Sequence, residues 1–198
     1  MRPALPALAA ILMGLAAPAS AQLGGPALPV QSPAAPELLQ RELDRAFDAL
    51  RTAPDEAGGR MAEAAVRQLW SRQATPAVAL LLNRGIRNLR GGQAGDALED
   101  FDAAILLEPG LADAWHWRAQ AHAAVGDRRG AAADLRESLR LEPRHFPALV
   151  TLSQLQEEAR DAPGALRSFR AALEIHPRLP GGEARLRELV RAAEGEAM

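Results

Sequence analysis

The chain has no cysteine and no tyrosine, and its 23 basic residues are all arginine. Without cysteine there is no disulfide framework, no thiolate nucleophile and no lipid-modified cysteine behind a cleavage site. Aromatics make up only 4% of the residues, so any core must be built mainly from alanine and leucine. The 23 arginines nearly balance 25 acidic residues, a net charge of −2, which offers no general attraction to nucleic acid or anionic lipid. Long apolar runs are also missing. The run ALPALAAILMGLAA is 14 residues long, short of the roughly 20 that a membrane-spanning helix needs.

That run has the layout of an export signal. Arg2 supplies the positive start, residues 4–17 the apolar core, and Ala19-Ser20-Ala21 the small residues for cleavage before Gln22. Residues 1–21 are therefore expected to be removed from an exported protein, periplasmic in a Gram-negative cell, with an uncleaved N-terminal anchor as the alternative. Residues 22–36 carry no charge and are rich in proline, glycine and alanine, the composition of a flexible tether. From Glu37 the pattern becomes helical. Leu38, Leu39, Leu43, Phe47 and Leu50 recur at helical spacing on one face. Pro54-Asp55 then stops the run, and a second helix is expected from Glu56 to Arg72, with Met61, Ala65, Leu69 and Trp70 on its buried side. Residues 37–73 thus form a helical hairpin.

The signatures ILLEP, LRLEP and LEIHP end three helical runs at Pro109, Pro143 and Pro177, 34 residues apart each time. Proline has no N–H and clashes with the preceding turn, so it stops a helix and turns the chain. In frames of that length, covering 78–111, 112–145 and 146–179, other positions recur too. Small residues stand at position 8 (Gly85, Ala119, Ser153), position 20 (Ala97, Ala131, Ala165) and position 27 (Ala104, Ser138, Ala172). Position 24 holds the bulky Phe101, Leu135 and Phe169. Helices can cross closely only where bulk is missing, and a large neighbour fills the adjacent space. Asp127 and Asp161 are placed to cap the second helices. Residues 180–198 carry a narrow stripe of Leu186, Leu189 and Val190, as expected of a polar-faced capping helix.

This register resembles the tetratricopeptide repeat (TPR) family, whose unit is a 34-residue helix-turn-helix. The resemblance implies an all-α, TPR-like solenoid. Two positions depart from the family pattern: Arg84 and Arg118 at position 7, where leucine is preferred, and Asn88, His122 and Gln156 at position 11, where tyrosine is preferred.

Catalytic chemistry finds no foothold. The histidines His116, His122, His145 and His176 contain no i, i+4 pair for a helical metal site. The glycines of GGQAG, 91–95, fall in a turn between helices and lack the Lys-Ser/Thr of a phosphate cradle. Glu99, Asp100 and Asp102 are expected on a solvated helix face. No nucleophile stands near a base, so no catalytic residue, cofactor or metal is expected; only groups assembled across repeats would escape such a reading.

The resemblance implies instead a concave surface lined by the first helix of each repeat. The candidate groove residues are Asn83, Ile86 and Arg90 in the first frame, Asp113, His116, Trp117 and Gln120 in the second, and Thr151, Gln154 and Glu158 in the third. Trp115 is expected in the core. Trp117 is expected either as a groove anchor or packed on the neighbouring repeat. Some family members grip a terminal carboxylate with basic and amide side chains. The matching positions here hold Leu82, Ile86, Trp117, Pro147 and Thr151, so that clamp is absent. Glu157 and Glu158 stand at a helix C-terminus, where the dipole disfavours them, with Arg160 as the expected relief. The expected function is non-catalytic capture of a peptide segment or helix of an envelope protein, with self-association as the alternative.

Overall fold

The structure, a computed structural model, describes residues 34–196. The expected export signal and all but the last three residues of the expected tether lie outside the described residues. Those last three are already helical. The described residues form nine helices and no strand: α1 Ala34–Arg51, α2 Glu56–Ser71, α3 Pro76–Arg90, α4 Ala94–Leu107, α5 Ala112–Ala124, α6 Arg128–Leu141, α7 Phe146–Glu158, α8 Ala162–Ile175 and α9 Gly182–Glu196. None is long and apolar enough to cross a membrane.

Helices α3 to α8 pair as three antiparallel hairpins, and their ends follow local chemistry. Asp127 and Asp161 accept hydrogen bonds from the N–H groups of Gly130 and Gly164, closing the first turns of α6 and α8. Pro76, Pro147 and Pro163 sit in first turns, where a missing N–H costs nothing. The turns inside the hairpins place Gly92, Gly126 and Arg160 at φ of 78°, 82° and 60°, the left-handed region.

Inside each hairpin, volumes are matched. A Cβ on Gly85 would lie 2.5 Å from the Phe101 ring. The second and third hairpins tolerate Ala119 and Ser153 there, against Leu135 and Phe169. The two departures from the family pattern turn out to be partners. Arg84 donates to Asp100 through Nε at 2.6 Å, and Asn88 reaches the other oxygen at 3.0 Å. One repeat on, Arg118 grips Asp134 with two bonds of 2.8 and 2.7 Å, while His122 approaches the same carboxylate at 3.7 Å. Asp100 and Asp134 are buried, so Asp100 does not lie on a solvated face as expected. A buried carboxylate is tolerated only when paired, and arginine at position 7 supplies the pair. Arg118 also reaches back to the exposed Asp102 at 2.7 Å, tying two repeats together. In the third hairpin Leu152 replaces the arginine, and Ser168 and Gln156 bond each other at 2.6 Å instead.

Helix α9 closes the far end, with Leu189 fully buried against Phe169, Ala165 and Leu166. The near end is different. Helices α1 and α2 do not add a layer beside α3 and α4. Instead α2 runs across the turns between repeats, from the third back toward the first. Gly59 lies against Arg178 and His176; Glu63 meets His176 at 3.3 Å; Arg67 sits 5.7 Å over the Phe146 ring; Trp70 stacks on His145 at 4.5 Å. Leu43, Phe47, Leu50, Val66, Trp70, Phe146 and Ala172 make one buried cluster. At about 1.5–3 kcal/mol per large apolar side chain, this cluster anchors the hairpin to the third repeat. Asp44 and Arg144 add an ion pair at 2.8 Å. The buried face of α2 is Gly59, Ala62, Val66 and Trp70, whereas Met61 is 77% exposed and Ala65 is also exposed, contrary to the sequence expectation. Leu38 of α1 is likewise exposed.

Candidate functional site

Helices α3, α5 and α7 bring their inward faces together on the concave side, and α2 forms one wall. Two cavities meet at Trp117. The larger, about 250 Å³, holds His116, Trp117, Gln120, Thr151 and Gln154, with Glu63 and Arg67 of α2 on its flank. The smaller, about 120 Å³, holds Asn83, Ile86, Asp113 and Trp117, with Trp70 at its α2 side. Eight of the ten candidate residues, Trp117 among them, therefore line these two cavities. Arg90 and Glu158 line neither cavity. Glu158 pairs with Arg128 at 3.6 Å, and Glu157 with Arg185, so the relief of that helix end comes from neighbouring helices rather than from Arg160.

Trp117 is half-buried, packed on Leu82, Ile86 and Leu89 of α3 while facing both cavities. The packing expected of it against the neighbouring repeat is present. Trp115 is also half-buried, against the cluster of Val78, Ala104, Ile105 and Leu111, and its Nε1 donates to the Pro109 carbonyl at 2.8 Å. Arg118 covers its ring at 4.8 Å.

Beneath the cavities lies a polar network that no local motif announces. His145 caps α7: its Nδ1 accepts from the Ala148 N–H at 3.1 Å, so its proton sits on Nε2, which donates to Asp113 Oδ1 at 3.0 Å. Burial works to raise the Asp113 carboxyl, but that hydrogen bond, helped by the charge of Arg67, holds it below its usual range. His116 is buried, and desolvation, aided by His145, pushes it down to about 3, so its ring is neutral. Thr151 gives its proton to the Pro147 carbonyl, and its Oγ1 lies 3.1 Å from His116 Nε2; the Gln120 amide nitrogen lies 2.9 Å from the same ring nitrogen. His116 Nδ1 and Trp70 Nε1 are buried without hydrogen-bond partners among the described residues. On the α2 side, a hydrogen bond from His176 holds the Glu63 carboxyl below its usual range, against burial and with help from Arg67.

Asp113, His116 and His145 bring three possible ligand atoms within 4.8 Å of one another. The tautomer that caps α7 puts a proton on His145 Nε2, leaving no lone pair there for an ion. The hydrogen-bonded pair is the chemistry these residues fit. Sequence reasoning missed Trp70, Arg67 and Glu63 as groove walls. Trp70 was legible as a buried residue, but not what it would be buried against.

No protein-family model matches the sequence. A TPR repeat-containing protein of Rhizobium etli is 27% identical over 140 residues, which cover 70% of this chain and 68% of the relative. The Sgt2 TPR domain of Aspergillus fumigatus is similar in structure, with a TM-score of 0.59 at 20% identity over 63% of this chain and 83% of that one. The first TPR of Spaghetti (RPAP3), bound to an HSP90 peptide, gives 0.56 at 16% identity over 60% of this chain and 94% of that one. With the helical hairpins described above, these likenesses make the chain an all-α, TPR-like solenoid.

Proposed function

We propose that this TPR-like solenoid is a non-catalytic interaction module that holds a short peptide or helix of another protein along α3, α5 and α7. The observation that carries this reading is the pair of cavities meeting at Trp117, lined by Leu82, Ile86, Phe146 and Val150 together with the amides of Asn83, Gln120 and Gln154; the one hydroxyl beside an imidazole there, Thr151 next to His116, gives its proton to the Pro147 carbonyl. The peptide-bound state of the Spaghetti TPR supports the same use of the surface. Leu82, Ile86, Trp117, Pro147 and Thr151 occupy the positions where the family's carboxylate clamp carries basic and amide side chains, which argues against an acidic chain terminus as the ligand. We further propose that the protein is exported and that its partner resides in the cell envelope, on the strength of residues 1–21; the intact mass of the exported protein should begin at Gln22.

The test is a selection of displayed random peptides on the purified chain. Selected peptides should lose affinity by about 2 kcal/mol or more on Trp117→Ala while the helical circular dichroism persists. Peptides that bind Trp117→Ala and wild type equally would end the groove reading.

A second reading, self-association, is favoured by the near end of the stack. Leu80 is 67% exposed, whereas Ala114 and Ala148 at the same repeat position are fully buried by the preceding hairpin. Leu106 and Leu107 are exposed on the same hairpin. Sedimentation showing a dimer that Leu80→Asp dissolves would support this reading; a monomer at high concentration would remove it.

A further inference from the structure

We infer that the smaller cavity beside Trp117 receives a basic side chain, arginine or lysine, from the partner peptide. The inference rests on the groove reading above and assigns the chemistry of one of its positions. Among the side chains lining this cavity, Asp113 is the only charged one; the others include Trp70, Trp117, Leu82, Ile86 and Asn83. Asp113 Oδ1 is committed to His145, and Oδ2 has no hydrogen-bond partner among the described residues. A carboxylate fixed beside two indoles is costly to cover unless its occupant brings a compensating charge.

The walls match the rest of such a side chain. Leu82 and Ile86 suit a methylene stem, and the tryptophans suit a cationic head, most of all a guanidinium. A cavity of about 120 Å³ is large for water, which needs roughly 10–15 Å³, and fits a single side chain rather than a helix. Arg67, whose charge acts on Asp113 from a distance, lines the other cavity and is paired with Glu63 at 2.8 Å, so it does not occupy this one. An acidic occupant would be repelled by Asp113, and a neutral amide would leave the charge uncompensated.

The test uses Nα-acetylarginine methylamide and its citrulline counterpart, which keeps shape and loses charge. The three tryptophan indole N–H resonances in a nitrogen-15 spectrum are the readout. The arginine probe should shift Trp117 and Trp70 saturably and leave Trp115, which is outside the cavity, unmoved. Its affinity should exceed that of the citrulline probe by about 10-fold, fall to the citrulline level in Asp113→Asn, and rise several-fold in Asn83→Asp, a change at an exposed rim position. Should Asp113→Asn fail to fold, the citrulline comparison and Asn83→Asp decide. Equal binding of the two probes, no gain in Asn83→Asp, or no shift with the arginine probe overturns the inference. Display-selected peptides that move Trp117 but contain no basic residue overturn it as well, and leave the groove reading standing. If no selected peptide moves Trp117, both fall.

Discussion

Arg160 occupies a backbone conformation that its two counterparts assign to glycine. Gly92, Gly126 and Arg160 all stand at position 15 of their repeats with positive φ. A side chain there crowds the carbonyl that follows, at a cost of about 1–2 kcal/mol, which glycine avoids. Arg160→Gly should therefore raise stability by about 1 kcal/mol, read as a higher denaturant midpoint at unchanged slope. A lower midpoint would mean that the arginine makes contacts worth more than its strain. Gly85 is the reverse case. Its missing Cβ is the space taken by the Phe101 ring, so Gly85→Ala should overpack the first hairpin and cost about 1–3 kcal/mol in thermal or denaturant unfolding. Gly92→Ala would act through φ instead, since nothing lies within 4 Å of its Cβ position.

At the scale of elements, α2 is the helix whose neighbours could not be anticipated. Its amphipathic stripe is visible in the sequence, yet the buried face centres on Ala62 and Val66, about one residue round from the expected Met61 and Ala65. Periodicity fixes that a helix has a buried side; the partner fixes its centre. Trp70 joins α2 to the second and third repeats through His145 and Phe146. Trp70→Ala should cost about 3–5 kcal/mol. Amide exchange should then accelerate first in α1 and α2, while the α3 to α8 stack keeps its protection. Uniform acceleration through all helices would show that the hairpin and the stack unfold as one unit.

For the molecule as a whole, acid sensitivity is built into the second repeat. The pKa of His116 falls from 6.5 when free to about 3 in the fold, chiefly through burial. Between those values the unfolded chain binds a proton that the folded chain refuses, so this contribution is complete above about pH 6.5 and shrinks as pH falls toward 3. From pH 7 to pH 5 the loss should be about 2 kcal/mol, and His116→Gln should flatten the dependence in urea titrations at the two pH values. An unchanged slope in His116→Gln would place the acid response elsewhere. The Glu63 carboxyl, held low, adds stability that is present above its ordinary range and is lost only at lower pH, as it protonates.

The sequence by itself determined the parts governed by short-range chemistry. Proline stops at a 34-residue spacing, aspartate caps immediately before α6 and α8, and small and large side chains in register are consequences of helix geometry within a single hairpin. The inward face of α5, with Asp113, Trp117 and Gln120, came from the resemblance to the TPR family rather than from spacing, which fixes only that these residues share a side of the helix. Tertiary structure decided everything joined across the chain. Asp44 meets Arg144 at 100 residues' separation, and Glu63 meets His176 at 113. Asp100 looked solvated until Arg84, on the facing helix, was placed against it. The union of Asp113, His116 and His145 required a turn between repeats to approach a helix face, and the groove acquired its wall only when α2 crossed those turns. Such contacts depend on how hairpins stack, a property of packed surfaces that no residue spacing within one helix encodes.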